Sequence, residues 1–217
     1  MDKILIIDFD STFVKVEALD ELAGIALRDN PNKNGILHEI KKTTALGMEG
    51  KISFPESLER RFTLLSANKK NVEELIEFLK KNVSESVKRN KDFFVKNADN
   101  IYIISGGFQE YICPVAGEYG IKKDHVLANK FIFDKNGRIC GFDKNCNLAK
   151  VNGKVRQIKE MNLDGEVWVI GDGYTDYEIR QAGLASKFIA YCENIRREAV
   201  TKVADRVINS FDELSDL

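Results

Sequence analysis

The chain has 217 residues, 43% of them hydrophobic and 31% charged, which is ordinary for a soluble globular protein long enough to bury a substantial core. Its 33 Lys and Arg against 34 Asp and Glu leave a net charge of -1. No overall field therefore draws it toward nucleic acid or an acidic membrane, and neither is expected as a partner.

The chain opens on Ile4-Leu5-Ile6-Ile7 and reaches Asp8. That run is far too short for a signal peptide or a membrane span, so a cytoplasmic protein is expected. A continuous apolar run ending in an acid has the pattern of a strand buried on both faces of a parallel sheet. Similar runs follow at Ile101-Tyr102-Ile103-Ile104, Val126-Leu127-Ala128, Val167-Trp168-Val169-Ile170 and Phe188-Ile189-Ala190. About ninety residues separate the first run from the second, far more than an ordinary crossover requires. Within them the periodicity predicts helices over Glu17 to Arg28, Ile36 to Leu46, Pro55 to Leu65 and Val72 to Val87. Later segments, Gln109 to Tyr119, Val155 to Met161, Asp176 to Ala182 and Ile195 to Val203, also read as helices. Phe131-Ile132-Phe133 and Arg138-Ile139-Cys140 flank Asp134-Lys135-Asn136-Gly137, a hairpin signal. The expected fold is α/β: a Rossmann-like doubly wound parallel sheet (1–14 and 88–217) with a small inserted helical cap (15–87) and a β-hairpin.

In open α/β sheets ligands bind at the carboxyl ends of the strands. Three such ends carry Asp8-Phe9-Asp10-Ser11-Thr12, Ser105-Gly106-Gly107 and Gly171-Asp172-Gly173-Tyr174-Thr175-Asp176. Each alone is a common loop; their convergence after buried strands is what points to a site. His38 and His125 are the only histidines and lie far apart, and Cys113, Cys140, Cys146 and Cys192 show no Cys-x-x-Cys spacing. Zinc or a Ser-His relay has little to build on, so chemistry is expected from carboxylates, Lys and a hard cation such as Mg2+, with the thiols reduced. Glycines beside a small hydroxyl suit a phosphate held by backbone N–H groups.

These three motifs resemble those of the haloacid dehalogenase superfamily, and the phosphoserine phosphatase-like branch is the nearest match. Met48-Glu49-Gly50-Lys51-Ile52-Ser53-Phe54, Ser57-Leu58-Glu59-Arg60-Arg61 and Gly141-Phe142-Asp143 extend the resemblance over nearly the whole chain. It implies a Mg-dependent phosphomonoester hydrolase in which Asp8 is the nucleophile and Asp10 the acid and base. Asp8, the Asp10 carbonyl and Asp172 would hold the metal, with Asp176 supporting it or holding the lysine. Ser105, Gly106 and a lysine would bind phosphate, and Thr175 stands where many members carry Asn. Glu17 would face the ammonium and Arg61 the carboxylate of phosphoserine, with Met48 and Phe54 excluding water. The branch often shows Lys-Gly-x-Val where this chain has Asn152-Gly153-Lys154-Val155. Lys154 is taken as the phosphate lysine because the site needs a cation, with Lys150 as the alternative. A related phosphatase or phosphotransferase for another small ester, or a non-catalytic phosphoacceptor or binding module, stands as the competing expectation. A homodimer is compatible with the sequence.

Overall fold

The computed structural model describes residues 3–214. Positions 1–2 and 215–217, which the expected core range includes, lie outside the described residues. A six-stranded parallel sheet is built from β1 (Lys3–Ile7), β2 (Ile101–Phe108), β3 (Val126–Asn129), β6 (Glu166–Gly171), β7 (Lys187–Tyr191) and β8 (Arg206–Ile208). Their spatial order is β3-β2-β1-β6-β7-β8, so β1 is central, with Leu5 level with Ile101 on one side and Trp168 on the other. Successive β1 side chains point to opposite faces: Leu5 and Ile7 join one buried cluster, Ile4 and Ile6 the other. With both faces covered from Ile4 to Ile7, those four positions are all apolar, and the first acid comes only at the strand's end, at Asp8. Connections leave β1 toward β2 on one side and return to β6 on the other, which makes the β1/β6 crevice the switch point where a ligand site is expected.

The insertion after β1 holds four principal helices, α1 (Ala18–Ala26), α2 (Lys33–Met48), α3 (Phe54–Leu64) and α4 (Lys69–Lys81), followed by the short α5 (Glu85–Arg89) and α6 (Lys91–Lys96). Helix α3 starts where Ser53 Oγ accepts the Glu56 N–H at 3.3 Å and Pro55 occupies the first turn. Reciprocal bonds between Asn68 and Asn71 cap α4, whose Val72, Leu75 and Leu79 form its buried stripe. The expected single helix from Val72 to Val87 is broken, and the reason is tertiary. Val83 forms an antiparallel bridge with Val14, the Lys15 N–H bonds the Asn82 carbonyl at 2.9 Å and the Ser84 N–H bonds the Phe13 carbonyl at 3.0 Å. Outgoing and returning chains thus meet in a two-stranded neck.

The remaining helices, α7 (Gln109–Gly117), α8 (Gly153–Met161), α9 (Tyr174–Gln181) and α10 (Glu198–Thr201), flank the sheet. Helix α10 is much shorter than the Ile195 to Val203 expected, because residues before it are drawn into the site described below. The edge strand β8 was not anticipated: three residues with one fully buried side chain, Ile208, carry no readable alternation. In the hairpin of β4 (Phe131–Phe133) and β5 (Ile139–Phe142), the second strand starts one residue later than expected and runs to Phe142. Arg138 belongs to the turn, where Asp134 Oδ1 accepts its N–H at 2.9 Å and Gly137 takes a φ of +76°. The turn also grips the insertion: the Lys69 N–H donates to the Gly137 carbonyl at 3.0 Å and the Ile139 N–H to the Ala67 carbonyl at 2.9 Å. Phe62 of α3 packs edge-on against Phe142 with ring centroids 4.8 Å apart.

Candidate active site

Asp8 leaves the end of β1 with its N–H on the Ile170 carbonyl at 2.9 Å, so β6 holds its backbone from the neighbouring strand. A single wide turn, Phe9–Phe13, follows, in which Ser11 has a φ of +53°. That left-handed residue re-aims the chain so that Asp8 and Asp10 both line one cavity of about 360 Å³. Asp8 Oδ1 accepts its neighbour Phe9 N–H at 2.7 Å and meets Lys154 Nζ at 2.8 Å. Among the described residues, Oδ2 carries no hydrogen bond or ion pair.

Lys154 comes from the first turn of α8, where Asn152 adopts a left-handed conformation (φ +54°) just before the helix. Its Nζ also meets Asp176 Oδ1 at 2.7 Å, while Asp176 Oδ2 accepts the Gly173 N–H at 3.1 Å. Burial opposes the lysine charge, yet the Asp176 and Asp8 carboxylates outweigh it and hold its pKa above the ordinary lysine range. Of the two lysines considered, only Lys154 reaches Asp8. Lys150 lines the cavity but donates to the Asn145 carbonyl at 2.8 Å.

Asp172, at the end of β6, accepts the Thr12 hydroxyl at 3.2 Å and the Arg197 guanidinium at 3.0 Å. One oxygen each from Asp8, Asp172 and Asp176 lies within 4.8 Å of the others. Asp10 accepts the Ala18 N–H at 2.7 Å. Burial, with the negative charge of Asp8, pushes the Asp10 carboxyl up to about 7 against the Ala18 bond. Burial and then Asp8 push Asp176 up to about 8, and burial also raises Asp172. Four carboxylates (Asp8, Glu17, Asp172, Asp176) pair with two cations, Lys154 and Arg197, and Asp10 beside them pairs with neither. An all-oxygen set with uncompensated buried negative charge fits a hard divalent cation.

The second strand end supplies Ser105, whose Oγ accepts the Gly107 N–H at 2.9 Å. A Cβ at Gly106 would lie 2.4 Å from the Phe54 ring, so any larger residue there would have to displace that ring. From the insertion, Glu17, Met48, Phe54 and Arg61 line the same cavity, and Thr175 joins them from α9. Glu17 Oε1 accepts the Ser11 hydroxyl at 2.8 Å and lies 3.5 Å from Arg197. Burial, then the charges of Asp10 and Asp172, hold the Glu17 carboxyl well above its usual range. Arg61 is 5% exposed and donates to the Ser57 carbonyl and the Thr44 hydroxyl, each at 3.3 Å. Asp20 lies 4.0 Å from it, joined through the Thr44 hydroxyl at 2.7 Å. Every residue expected at the site is therefore brought to it.

Sequence reasoning missed Asn194, Arg197 and Tyr111. The first two follow the buried strand β7, where the helical periodicity of Ile195 to Val203 masks the strand-end position. Tyr111 lies in α7, within the helix expected there, but its ring is fully buried in the cavity wall and its hydroxyl has no hydrogen-bond partner among the described residues. The four cysteines are free, as expected. Among the described residues no helix is long and apolar enough to cross a membrane.

The model of the haloacid dehalogenase-like hydrolases matches residues 5–179. The chain is 34% identical over 210 residues to the chloroplastic phosphoserine phosphatase of Arabidopsis thaliana, covering 95% of this chain and 68% of that one. A phosphoserine phosphohydrolase-like protein from Francisella tularensis superposes with a TM-score of 0.87 at 34% identity, over 99% of this chain and 98% of the other. A phospho-aspartyl intermediate analogue of phosphoserine phosphatase superposes with a TM-score of 0.75 at 26% identity, over 99% and 98%.

Proposed function

The chain belongs to the haloacid dehalogenase-like hydrolase family, and from that membership we propose that it hydrolyses phosphoserine to serine and phosphate through a phosphoaspartate on Asp8. The observation that carries the reading is the shared cavity: Asp8, Asp10, Ser105 and Lys154 at the sheet's carboxyl edge face Glu17 and Arg61 from the inserted helices. We take residues 15–87 as the cap and 1–14 with 88–217 as the core, joined at the Val14–Val83 neck.

In the first step an Asp8 carboxylate oxygen attacks phosphorus and the ester P–O bond breaks. Asp10, its pKa raised by burial to about 7 so that a proton is available there near neutrality, gives that proton to the departing serine oxygen. In the second step water attacks the phosphoaspartate, Asp10 takes up the water proton, and the bond to Asp8 breaks to release phosphate. Lys154 balances the charge of Asp8 and the transferring group, while Ser105 and the Gly106 N–H receive phosphoryl oxygens. Asp176 keeps Lys154 aimed at Asp8. Mg2+ would be held by Asp8, the Asp10 carbonyl and Asp172, and would supply Lewis-acid neutralisation of the phosphoryl oxygens. Glu17 and Arg61 have the signs required for an ammonium and a carboxylate, and Arg suits a bidentate carboxylate. Met48, Phe54 and Thr175 complete the cavity wall, and the Phe54 ring lies directly over Gly106, where it shields the phosphate loop. The free thiols support a cytoplasmic location.

The test is phosphate release with magnesium from a panel of both phosphoserine enantiomers, a phosphosugar, phosphocholine and a nucleotide. Phosphoserine should lead in kcat/KM. A panel led by another ester would move the substrate assignment, and release from none of them would end the phosphatase reading.

A further inference from the structure

The residue that follows β7 and interlocks most with the catalytic loop is one to which the mechanism above gives no role. Asn194 Nδ2 lies 2.7 Å from Ser84 Oγ, 3.1 Å from the Ser11 carbonyl, 3.4 Å from the Thr12 carbonyl and 3.5 Å from the Val14 carbonyl. Ser84 Oγ donates its own proton to the Thr12 carbonyl at 2.6 Å, so it presents only lone pairs to Asn194. Every neighbour of that nitrogen is an acceptor. The carboxamide is therefore oriented with its N–H bonds inward, and its two protons serve first the two nearest oxygens.

Those oxygens belong to two parts of the fold that must stay in register. Ser11 follows Asp10 directly and is held at a φ of +53°, a conformation a non-glycine residue keeps only when its surroundings impose it. Its N–H goes to the Val16 carbonyl at 3.1 Å and its hydroxyl to Glu17, which leaves its carbonyl to Asn194. Ser84 lies on the returning strand of the neck, one residue past the Val14–Val83 bridge. The same loop also grips the start of α5, just beyond the neck, through Glu193, which accepts the Ser86 N–H at 3.0 Å.

We propose that Asn194 is a positioning residue for phosphoryl transfer: its carboxamide holds the turn that aims Asp8 and Asp10 and ties that turn to the neck of the cap. The proposal rests on the phosphatase reading. It acts on the nucleophile loop and not on the substrate's amino or carboxyl group, so it should appear in kcat on every ester alike.

The experiment compares wild type, Asn194→Ala and Asn194→Asp, with magnesium, on phosphoserine and on p-nitrophenyl phosphate, alongside thermal melts. Misplacing reacting groups by an ångström costs on the order of a hundredfold, so kcat should fall roughly ten- to a hundredfold on both esters, with KM changing much less. Asp should be worse than Ala, because it keeps the size but turns a donor into an acceptor facing carbonyls. If the Asp variant does not fold, the folded Ala variant decides by kcat and by weakened binding of beryllium fluoride, which reports the Asp8 geometry. An Ala variant within about twofold of wild type in kcat, a loss confined to KM, or an Asp variant more active than Ala would overturn the proposal. A wild type that releases phosphate from no ester defeats the phosphatase reading and this proposal with it, whereas an active wild type with unaffected variants defeats this proposal alone.

Discussion

Replacing Arg61 by Ala separates a substrate-reading cap from a merely structural one. Arg61 is 5% exposed, so a phosphoserine carboxylate bound to it is desolvated and would be left unpaired in the variant, at roughly 2–5 kcal/mol. That corresponds to about thirty-fold or more in kcat/KM for phosphoserine, each 1.4 kcal/mol being about tenfold. The same substitution perturbs the resting protein, because burial already raises the Asp20 carboxyl and Arg61 is the first group opposing that rise. Without Arg61 the largest opposing charge is lost and the Asp20 carboxyl is raised further. Removing one partner of a buried pair costs about 3–5 kcal/mol when the contact is close, but here the pair is 4.0 Å apart with Thr44 between, so the lower end or less is expected. Pairing Arg61→Ala with Asp20→Asn removes that complication. Phosphate release should then show a large loss on phosphoserine and a small one on phosphoethanolamine and p-nitrophenyl phosphate, which lack the carboxylate. Equal losses on all three would show that Arg61 supports the cap and does not read the ligand.

Asp8→Asn should abolish turnover and beryllium fluoride binding while the fold survives, since Lys154 keeps Asp176 as its partner; measurable steady-state turnover would exclude the phosphoaspartate. A chelator should remove activity and magnesium restore it, with calcium a poor substitute because its looser coordination misplaces the nucleophile; full activity in metal-free buffer would contradict the role given to Asp172. Asp10→Asn should stabilise the metal-free protein in a pH-dependent way. The folded pKa, about 7, lies above the ordinary 3.8, so the folded wild type binds a proton more tightly and loses stability as pH rises from about 4 through about 7. Asn lacks that loss and keeps an oxygen for the Ala18 N–H. Its advantage should be small near pH 4 and level off above about pH 7, with a ceiling of about 4 kcal/mol. Urea unfolding across that range reads it, and an advantage independent of pH would refute the cause assigned.

The parts of the fold visible in the sequence are those where burial acts on a few adjacent residues. Ile4 to Ile7 had to be apolar at every position because two clusters meet on the two faces of β1, and the acids had to wait for the strand's end. Pro55 announces the start of α3 by chemistry within one turn. The Asp8, Ser105 and Asp172 motifs were readable because parallel strands deliver their carboxyl ends to one edge. The break at Val83 was not, since its cause is Val14, distant in sequence and adjacent only in the neck. Nor was the unwinding of residues 195–197, where helical periodicity yields to the reach of Asn194 and Arg197 into the site. The choice of Lys154 over Lys150 likewise depended on a left-handed Asn152 and on which ammonium can meet Asp8 and Asp176 together. Sequence by itself determined which residues are strand, helix and strand-end acid, because those follow from contacts between near neighbours. Only the tertiary structure decided which charges pair and which carboxyls have their pKa raised, because Coulomb energy and desolvation depend on distance and burial in space and not on separation along the chain.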